Sequence, residues 1–227
     1  QNMREYIDAK AKITLFQNEN DLLIFNKTDQ KVCDIADKSK ARKIPFDPKN
    51  DPLKIRRDIT VPVEVLLEVA KIFNLPQSEV VEAIESFKPL PHRLEYVGKK
   101  SEISFYNDSA ATIPEAAISA INKIGEDLNT LIIGGVDKGF DLQELAEKIT
   151  ESPIENLILF PETGRKIERL VFNKRIFRAE SMGEAVNIAL EETVKGKACL
   201  LAPAAASFNM FKDYKERGDL FRKYVQN

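Results

Sequence analysis

The sequence predicts an α/β fold built on a parallel sheet. The prediction rests on the second part of the chain, where short apolar runs alternate five times with helical patterns. Strands that alternate with helices are joined by crossovers, so the strands run parallel and helices cover both faces of the sheet. The strand order does not follow from the sequence.

The strands are predicted from apolar runs of four or five residues, and each helix from apolar side chains at helical spacing. The predicted strands are Ile103–Tyr106, Thr130–Ile133, Asn156–Phe160, Arg175–Arg178 and Ala198–Leu201. The predicted helices are Ile113–Lys123, Leu142–Ile149, Arg165–Val171, Met182–Val194 and a helix from Phe208 onward that Gly218 stops.

The first part of the chain, up to about Pro91, has a mixed pattern. Its predicted elements are a helix near Met3–Ile13, a strand at Asp21–Asn26, and helices at Pro62–Phe73 and at Ser78–Phe87 with Ser78 as a cap. The stretches Lys27–Lys43 and Asp47–Pro52 are predicted to be loops or weak elements. Prolines at positions 89 and 91 end the last helix, and they predict a domain boundary there.

Composition excludes several classes of function. With 34 basic and 36 acidic residues, the chain has no overall attraction to nucleic acid or to anionic membranes. No signal peptide is expected, and the sequence has no apolar run of membrane-spanning length. Its two cysteines lie far apart and fit a reducing cytoplasm, and with His92 as the only histidine no metal site is expected.

The chemistry is expected at the carboxyl ends of the strands, where open parallel sheets bind ligands. Polar residues and glycines follow the predicted strands there: Asn107, Asp108, Ser109 and Thr112, then Gly134, Gly135, Asp137 and Lys138, then Pro161–Gly164, and finally Ser207. A lysine in a glycine loop is a point charge suited to a carboxylate or a phosphate. Ordinary polar loops would explain about half of this pattern.

The segment Ala198–Phe221 combines a buried strand with a proline, three alanines and Ser207. Small residues here allow close approach to the backbone. Ser207 is predicted to lie at a helix N-terminus, where free N–H groups would favour an anion. The alternative is a serine-capped turn without a ligand. No P-loop spacing is present, and Gly98–Ser101 is predicted to be a charged hairpin turn.

Four segments occur in one order: PHRLE, YNDSAAT, LIIGGVDKGFD and LLAPAAASFNMFKDYKERGDLF. Together they resemble the carboxyl-terminal part of the Mur ligases, in particular the branch that adds D-glutamate. The segment with YIDAKAKI and FQNENDLLIFN resembles the later part of that family's central ATPase domain. The resemblance implies that residues 1–91 belong to the central domain. It also implies that residues 92–227 form a Rossmann-like domain that binds the incoming amino acid.

The resemblance also implies an activity. Such ligases use ATP and magnesium to join D-glutamate to UDP-N-acetylmuramoyl-L-alanine during peptidoglycan biosynthesis in the bacterial cytoplasm. ATP phosphorylates the precursor's carboxylate, and the amine of D-glutamate attacks the acyl phosphate. The resemblance implies a monomer with no nucleic-acid or membrane partner. By motif position, Arg93 and Asp108 correspond to nucleotide contacts. The residues that correspond to the D-glutamate contacts are Thr112, Lys138, Ser207, Phe208 and Phe211.

The chain departs from the family pattern in several places. Ala110 stands where lysine is usual, and Asn209 stands where aspartate is usual. The usual His-Asn pair and a further asparagine fall at Asp58, Ile59 and Pro62, which weakens the nucleotide role. The chain begins without methionine on a charged helical pattern, and the family's P-loop, uridine-nucleotide domain and metal ligands would lie upstream. We therefore expect no turnover from these 227 residues alone.

Two other hypotheses remain. The chain is a non-catalytic binding module derived from the ligase, or a sister ligase for another amino acid, including the folylpolyglutamate type. The pattern of Ser207, Phe208 and Phe211 argues against the sister ligase. Because the family joins its two domains at this point, Leu90–Leu94 is expected to act as a hinge.

Overall fold

A computed structural model describes residues 3–48, 62–87 and 90–227. The chain divides into two compact units, residues 1–88 and residues 89–227. No helix among the described residues is long and apolar enough to cross a membrane.

The first unit contains a parallel strand–helix–strand motif followed by a helix pair. Its elements are α1 (Met3–Ala11), β1 (Leu22–Asn26), α2 (Gln30–Asp37), β2 (Arg42–Phe46), α3 (Val63–Ile72) and α4 (Gln77–Ser86). β1 and β2 pair in parallel, and α2 connects them. The side chains of Val63, Ala70, Val80 and Ile84 form the small core between α3 and α4.

Two predictions for this unit are wrong. The polar stretch Lys27–Lys43 contains α2 and the start of β2, because Asp29 caps α2 by accepting hydrogen bonds from the N–H groups of Lys31 and Val32. Ser78 does not cap α4: the N-cap is Pro76, which makes no side-chain cap bond. Asp58 and Ile59 lie outside the described residues.

The second unit contains a six-stranded sheet and five α-helices in its described residues. Its strands are β3 (Glu95–Lys100), β4 (Ile103–Asn107), β5 (Leu128–Gly135), β6 (Asn156–Glu162), β7 (Arg175–Arg178) and β8 (Ala198–Leu201). Its helices are α5 (Pro114–Ile124), α6 (Gln143–Glu151), α7 (Thr163–Glu168), α8 (Met182–Glu192) and α9 (Tyr214–Gln226). The predicted strands and the predicted parallel sheet are confirmed.

The order of strands in the sheet is β3-β4-β8-β5-β6-β7. All neighbours pair in parallel except β3 and β4, which form an antiparallel hairpin at one edge. The chain passes from β4 over the position of β8 to β5, continues outward to β7, and returns to insert β8. Its direction therefore reverses beside β8, and ligands of open α/β sheets bind at the carboxyl ends of strands next to such a reversal.

The sheet lies between two helical layers. Leu131 and Ile133 of β5 belong to the core that α5, α6 and α7 cover, while Ile132 belongs to the core that α8 and α9 cover. This alternation follows from the two-residue period of a strand. Both faces of β5 are buried, so its sequence is a continuous apolar run, as is typical of parallel sheets.

The predicted helix from Phe208 onward is wrong. Residues 208–213 form turns and bends, and α9 begins at Tyr214, with Asp213 capping the N–H groups of Lys215 and Glu216. Gly218 does not stop the helix but lies inside it. The predicted turn at Gly98–Ser101 is shifted, because Gly98, Lys99 and Lys100 belong to β3.

Candidate ligand site at the carboxyl edge of the sheet

The loops that leave β5 and β8 are joined by backbone hydrogen bonds. The N–H of Gly134 donates to the carbonyl of Pro203 at 2.9 Å, and the N–H of Val136 donates to that of Ala206 at 2.8 Å. A Cβ at Gly135 would overlap the Ala206 carbonyl, so the close approach requires glycine there. The small residues of the Ala198–Phe221 segment therefore allow the glycine loop after β5 to approach their backbone.

This pairing brings Lys138 and Ser207 to one edge, because each follows the Val136–Ala206 bridge by one or two residues. Lys138 is exposed and has no hydrogen-bond or ion-pair partner among the described residues. The neighbouring Asp137 forms an ion pair with Lys166 and accepts from the Gly139 N–H, and the Lys166 bond lowers the pKa of Asp137. Lys138 is thus left as the unneutralised cation of its loop.

Ser207 is not at a helix N-terminus, which corrects the anion-site argument drawn from the sequence. The residue is buried, and its carbonyl accepts from the N–H groups of Met210 and Phe211 in a short turn. Phe208 projects with 68% of its surface exposed. Phe211 contacts Phe160 edge-on, with ring centroids 5.8 Å apart, so it anchors this loop on the core.

Asp108 lies at the end of β4, next to the end of β8. Its N–H donates to the Leu201 carbonyl at 2.8 Å, and its Oδ1 accepts from the Leu94 N–H at 3.0 Å. Burial raises the pKa of the Asp108 carboxyl, while the Leu94 bond and the charges of Lys123 and Arg93 oppose the rise. Arg93 is exposed beside this carboxylate. The structure therefore brings the two predicted nucleotide contacts together.

We expect Asp108→Asn to stabilise the protein at pH 7 by no more than about 1 kcal/mol. A raised folded-state pKa means that the folded state binds its proton more readily than the unfolded state, so the cost of the buried charge is present at neutral pH. The gain should shrink as the pH falls through the folded-state pKa. Urea midpoints measured between pH 7 and pH 4 test this.

Asp137→Asn is the matched control, because the pKa of Asp137 is shifted in the opposite direction. This variant should lose stability at pH 7, and the loss should fade as the pH is lowered. An Asp108→Asn protein that is less stable than the wild type at pH 7 contradicts the prediction. It would mean that hydrogen bonding to the carboxylate outweighs its desolvation.

The loop after β4 also carries Thr112 and Ala110. Thr112 is half-buried, and its N–H donates to the carbonyl of Ala110 at 2.9 Å. The N–H of Ala110 donates to the His92 carbonyl at 3.0 Å, which ties this loop to the start of the unit. The methyl group of Ala110 supplies no charge where the family usually has lysine.

The structure also bears on the predicted hinge at Leu90–Leu94. His92 and Leu94 are buried, and the N–H of His92 donates to Glu95 Oε2 at 2.9 Å. Both residues are therefore fixed within the second unit. We expect any hinge to lie upstream of His92.

Arg217 is a residue of this edge that sequence reasoning missed. It is fully buried, and its guanidinium donates to Ser109 Oγ at 2.9 Å, to the Ser109 carbonyl at 2.9 Å and to the Ala205 carbonyl at 3.1 Å. Among the described residues no carboxylate lies within ion-pair distance, and burial lowers the pKa of Arg217 to about 10. One side chain from α9 thus clamps the loops after β4 and β8.

The sequence contained a signal for this role. Arg217 precedes the buried Phe221 and Val225 by four and eight residues, so it lies on the apolar stripe of α9. An arginine in a helix rich in charged residues is ordinarily exposed, so its position on the apolar stripe is easily overlooked.

A second polar cluster holds α9 against the sheet. Asn107 Nδ2 lies 3.1 Å from the Gly218 carbonyl, 3.2 Å from Glu95 Oε2 and 3.1 Å from His92 Nδ1. Ser109 Oγ donates to the Tyr214 carbonyl at 2.7 Å. The motif residues Asn107 and Ser109 therefore fix the helix that carries Arg217 and Gly218.

Glu162, at the end of β6, links the loop after β5 to the loop after β8. Its Oε2 accepts from the Asp137 N–H at 3.0 Å, and its Oε1 accepts from Asn209 Nδ2 at 3.1 Å. Asn209 stands where the family usually has aspartate. The amide donates to this carboxylate, which an ionised aspartate could not do.

Comparison with known proteins identifies the family. The profile described as "Mur ligase, glutamate ligase domain" matches residues 92–205. The "UDP-N-acetylmuramoylalanine--D-glutamate ligase" of Thermosipho melanesiensis is 33% identical over 227 residues, which cover 99% of this chain and 53% of that protein. The chain thus spans about half the length of the curated relatives it matches.

Solved structures agree on the fold. MurF from Acinetobacter baumannii has a TM-score of 0.72 at 11% identity, covering 100% of this chain and 56% of that one. The MurF ligase of Thermotoga maritima in complex with ADP has a TM-score of 0.70 at 14% identity, covering 99% of this chain and 58% of that one. The family profile spans half of this chain and includes the loops around Asp108, Lys138 and Ala205. The chain therefore belongs to the Mur ligase family.

Proposed function

We propose that this chain is the carboxyl-terminal half of an ATP-dependent ligase that adds D-glutamate to UDP-N-acetylmuramoyl-L-alanine in bacterial peptidoglycan biosynthesis. The observation that carries the proposal is Lys138, an unneutralised cation joined by the Val136–Ala206 bridge to the Ser207–Phe208 segment. The similarity to D-glutamate ligases along nearly the whole chain also supports the proposal.

In this proposal, the carboxyl edge of the six-stranded sheet binds the incoming amino acid. Lys138 binds one carboxylate of D-glutamate, since no side chain in the described part of the chain pairs with its ammonium group, and charge-assisted hydrogen bonds to carboxylates are strong. Thr112 and Ser207 offer hydroxyl groups, and exposed Phe208 shields the aliphatic part of the ligand. Phe211 acts through its contact with Phe160, by holding the Phe208 loop in place.

The nucleotide contacts are proposed at Arg93 and Asp108. Arg93 presents a planar guanidinium with several N–H donors, which suits a phosphate. One oxygen of Asp108 already accepts from Leu94, and the carboxylate retains capacity for a ribose hydroxyl. ADP bound to the Thermotoga maritima MurF ligase supports nucleotide use by proteins of this fold.

The reaction proposed is amide formation through an acyl phosphate. ATP phosphorylates the precursor's carboxylate, and the D-glutamate amine then displaces phosphate. The role of this chain is to hold D-glutamate with its amine directed at that carbonyl, which converts a bimolecular step into a unimolecular one. Among the described residues no group of three or more His, Cys, Asp or Glu side chains could hold a metal ion, so we assign no magnesium ligand here.

The first unit is proposed to be the later part of the central ATPase domain, and the second the amino-acid-binding domain. Because no P-loop spacing occurs in the 227 residues, the ATP phosphates would be bound by an upstream half. We propose no turnover by this chain alone. We also propose that the protein works as a monomer in the cytoplasm, with no nucleic-acid or membrane partner.

Titration with D-glutamate tests the amino-acid site. We expect Lys138→Ala to weaken binding at least roughly tenfold, because a charge-assisted bond contributes about 1.5–3 kcal/mol. Amide chemical shifts of the loops after β5 and β8 would report binding. Lys195→Ala is the matched control: this lysine lies before the amino end of β8, pairs with Glu102, and should not affect binding. Equal affinity of the Lys138→Ala and wild-type proteins would sink the assignment.

Ala110 favours a second candidate, a non-catalytic module that retains the edge without the chemistry. Its methyl group leaves the loop after β4 without the positive charge that the family's usual lysine would supply there. The complete protein decides between the two: D-glutamate-dependent phosphate release supports the ligase. D-Glutamate binding without phosphate release, in a protein that has its P-loop, supports the module.

A further inference from the structure

The carboxylate of Glu162 is the one side chain described here that bonds to both loops of the proposed amino-acid site. Oε2 accepts from the N–H of Asp137, the residue before Lys138, at 3.0 Å. Oε1 accepts from Nδ2 of Asn209, the residue after Phe208, at 3.1 Å. Together with the Val136–Ala206 backbone bridge, this carboxylate therefore fixes the position of Lys138 relative to the Ser207–Phe208 segment.

The backbone of Glu162 is strained. Its φ is 61° and its ψ is −93°, a γ-turn region that residues other than glycine rarely adopt. Such a conformation persists where the surroundings fix it, and it is concentrated at functional sites. The left-handed turn lies between the end of β6 and the start of α7, where the side chain reaches Asp137 on one side and Asn209 on the other.

The charges around this bridge leave Lys138 available. Asp137 is occupied by Lys166 and by the Gly139 N–H. Both oxygens of Glu162 have donors, and neither acidic side chain forms an ion pair with Lys138 in the described structure. The bridge thus orders the loop around the cation without neutralising it.

We propose that Glu162 is a positioning residue that sets the distance between Lys138 and the Ser207–Phe208 segment, and so selects glutamate over aspartate as the acceptor amino acid. The two ligands carry the same charges and differ by one methylene in the spacing of their carboxylates. A site that binds both carboxylates from two loops distinguishes them only if the loops keep a fixed spacing. This inference rests on the proposed function of the edge.

Three variants isolate the bridge. Glu162→Ala removes it, and Asn209→Asp sets two carboxylates against each other. In the double variant Glu162→Gln, Asn209→Asp, the new amide can accept from the Asp137 N–H and donate to the new carboxylate, which restores the bridge with reversed polarity. Glu191→Ala, at an exposed glutamate of α8, is the control for loss of a surface carboxylate.

The measurement is the ratio of dissociation constants for D-aspartate and D-glutamate, obtained by titrating each variant of the full 227-residue chain. One methylene is worth roughly tenfold or more in a fitted site, so we expect at least that ratio in the wild type. Glu162→Ala and Asn209→Asp should each lower it at least threefold, about 0.65 kcal/mol. The double variant and Glu191→Ala should match the wild type within about twofold. Loss of global stability alone would change both affinities together and leave the ratio unchanged.

Hydrogen exchange of the Asp137 amide gives an independent readout. We expect faster exchange in Glu162→Ala and wild-type exchange in the double variant. An unchanged ratio in Glu162→Ala, or a double variant that fails to restore it, overturns the selectivity role. An unchanged Asp137 exchange rate overturns the bridge itself. A wild-type chain that binds neither amino acid instead overturns the proposed amino-acid site, and with it the selectivity role, whatever the exchange rate shows.

Discussion

Replacing Arg217 with alanine is expected to lower the free energy of unfolding of the second unit by about 3 kcal/mol. The change leaves Ser109 Oγ and the carbonyls of Ser109 and Ala205 without their donor, and it opens a cavity at a fully buried position. Part of this loss is offset, because the alanine variant no longer carries the cost of burying an unpaired charge. Urea denaturation followed by tyrosine fluorescence suits the measurement, since four of the five tyrosines lie in this unit and the chain has no tryptophan.

Two further arginine variants make the result interpretable. Arg217→Lys keeps the charge but cannot reproduce the three-way fork, so it should fall between alanine and the wild type. Arg178→Ala removes an exposed arginine that pairs with Glu168, and it should change stability by less than about 0.5 kcal/mol. If Arg217→Ala costs no more than Arg178→Ala, the clamp contributes nothing to the fold.

Gly218→Ala is expected to destabilise the second unit by about 2 kcal/mol, although alanine is the better helix former. A Cβ at this position would overlap His92 Nδ1, so either α9 or His92 must move. Overpacking of this kind typically costs about 1–3 kcal/mol, which exceeds the gain of up to about 1 kcal/mol from helix propensity. Thermal or urea unfolding measures the net effect.

Removing the His92 side chain should abolish the destabilisation that Gly218→Ala causes. In a His92→Ala background, Gly218→Ala should be neutral or stabilising, which gives a coupling energy of about 2 kcal/mol. Gly183→Ala is the control, because its Cβ would lie 3.1 Å from the half-exposed ring of Tyr224, which can shift. Additive effects of the His92 and Gly218 substitutions would contradict the proposed contact.

Strands β4, β5, β6 and β8 could be predicted because most of their residues are buried. A continuous apolar run such as Leu131–Ile133 is typical of a strand that is covered on both faces. The edge strand β3 was missed for the opposite reason: it contains Gly98 and two lysines, and its burial is only partial. Strand order was not predictable, because β8 pairs with strands that lie far from it in sequence.

The sequence was sufficient to place the residues of the candidate site at one edge of the sheet, but not to predict how the loops there are built. The position of Lys138 and Ser207 at one edge followed from strand-end logic and from the family resemblance. The helix expected at Ser207 did not form there, because the spacing of Phe208, Phe211 and Tyr214 imitates a helical period across a turn that ends at the Asp213 cap. Arg217 and Glu162 were missed because their roles depend on loops brought together only in the folded chain.

The insertion of β8 has a consequence for biosynthesis. During translation the β3–β4 hairpin and the β5–β6–β7 strands emerge first, yet the strand that pairs with both β4 and β5 is Ala198–Leu201, the last strand of the sheet to leave the ribosome. Arg217, which clamps the loops, is made later still. We expect a chain cut short before β8 to lack the strand that pairs with both β4 and β5, and so to expose two strand edges that favour aggregation. Residues 198–227 therefore supply the strand and the arginine that complete the second unit.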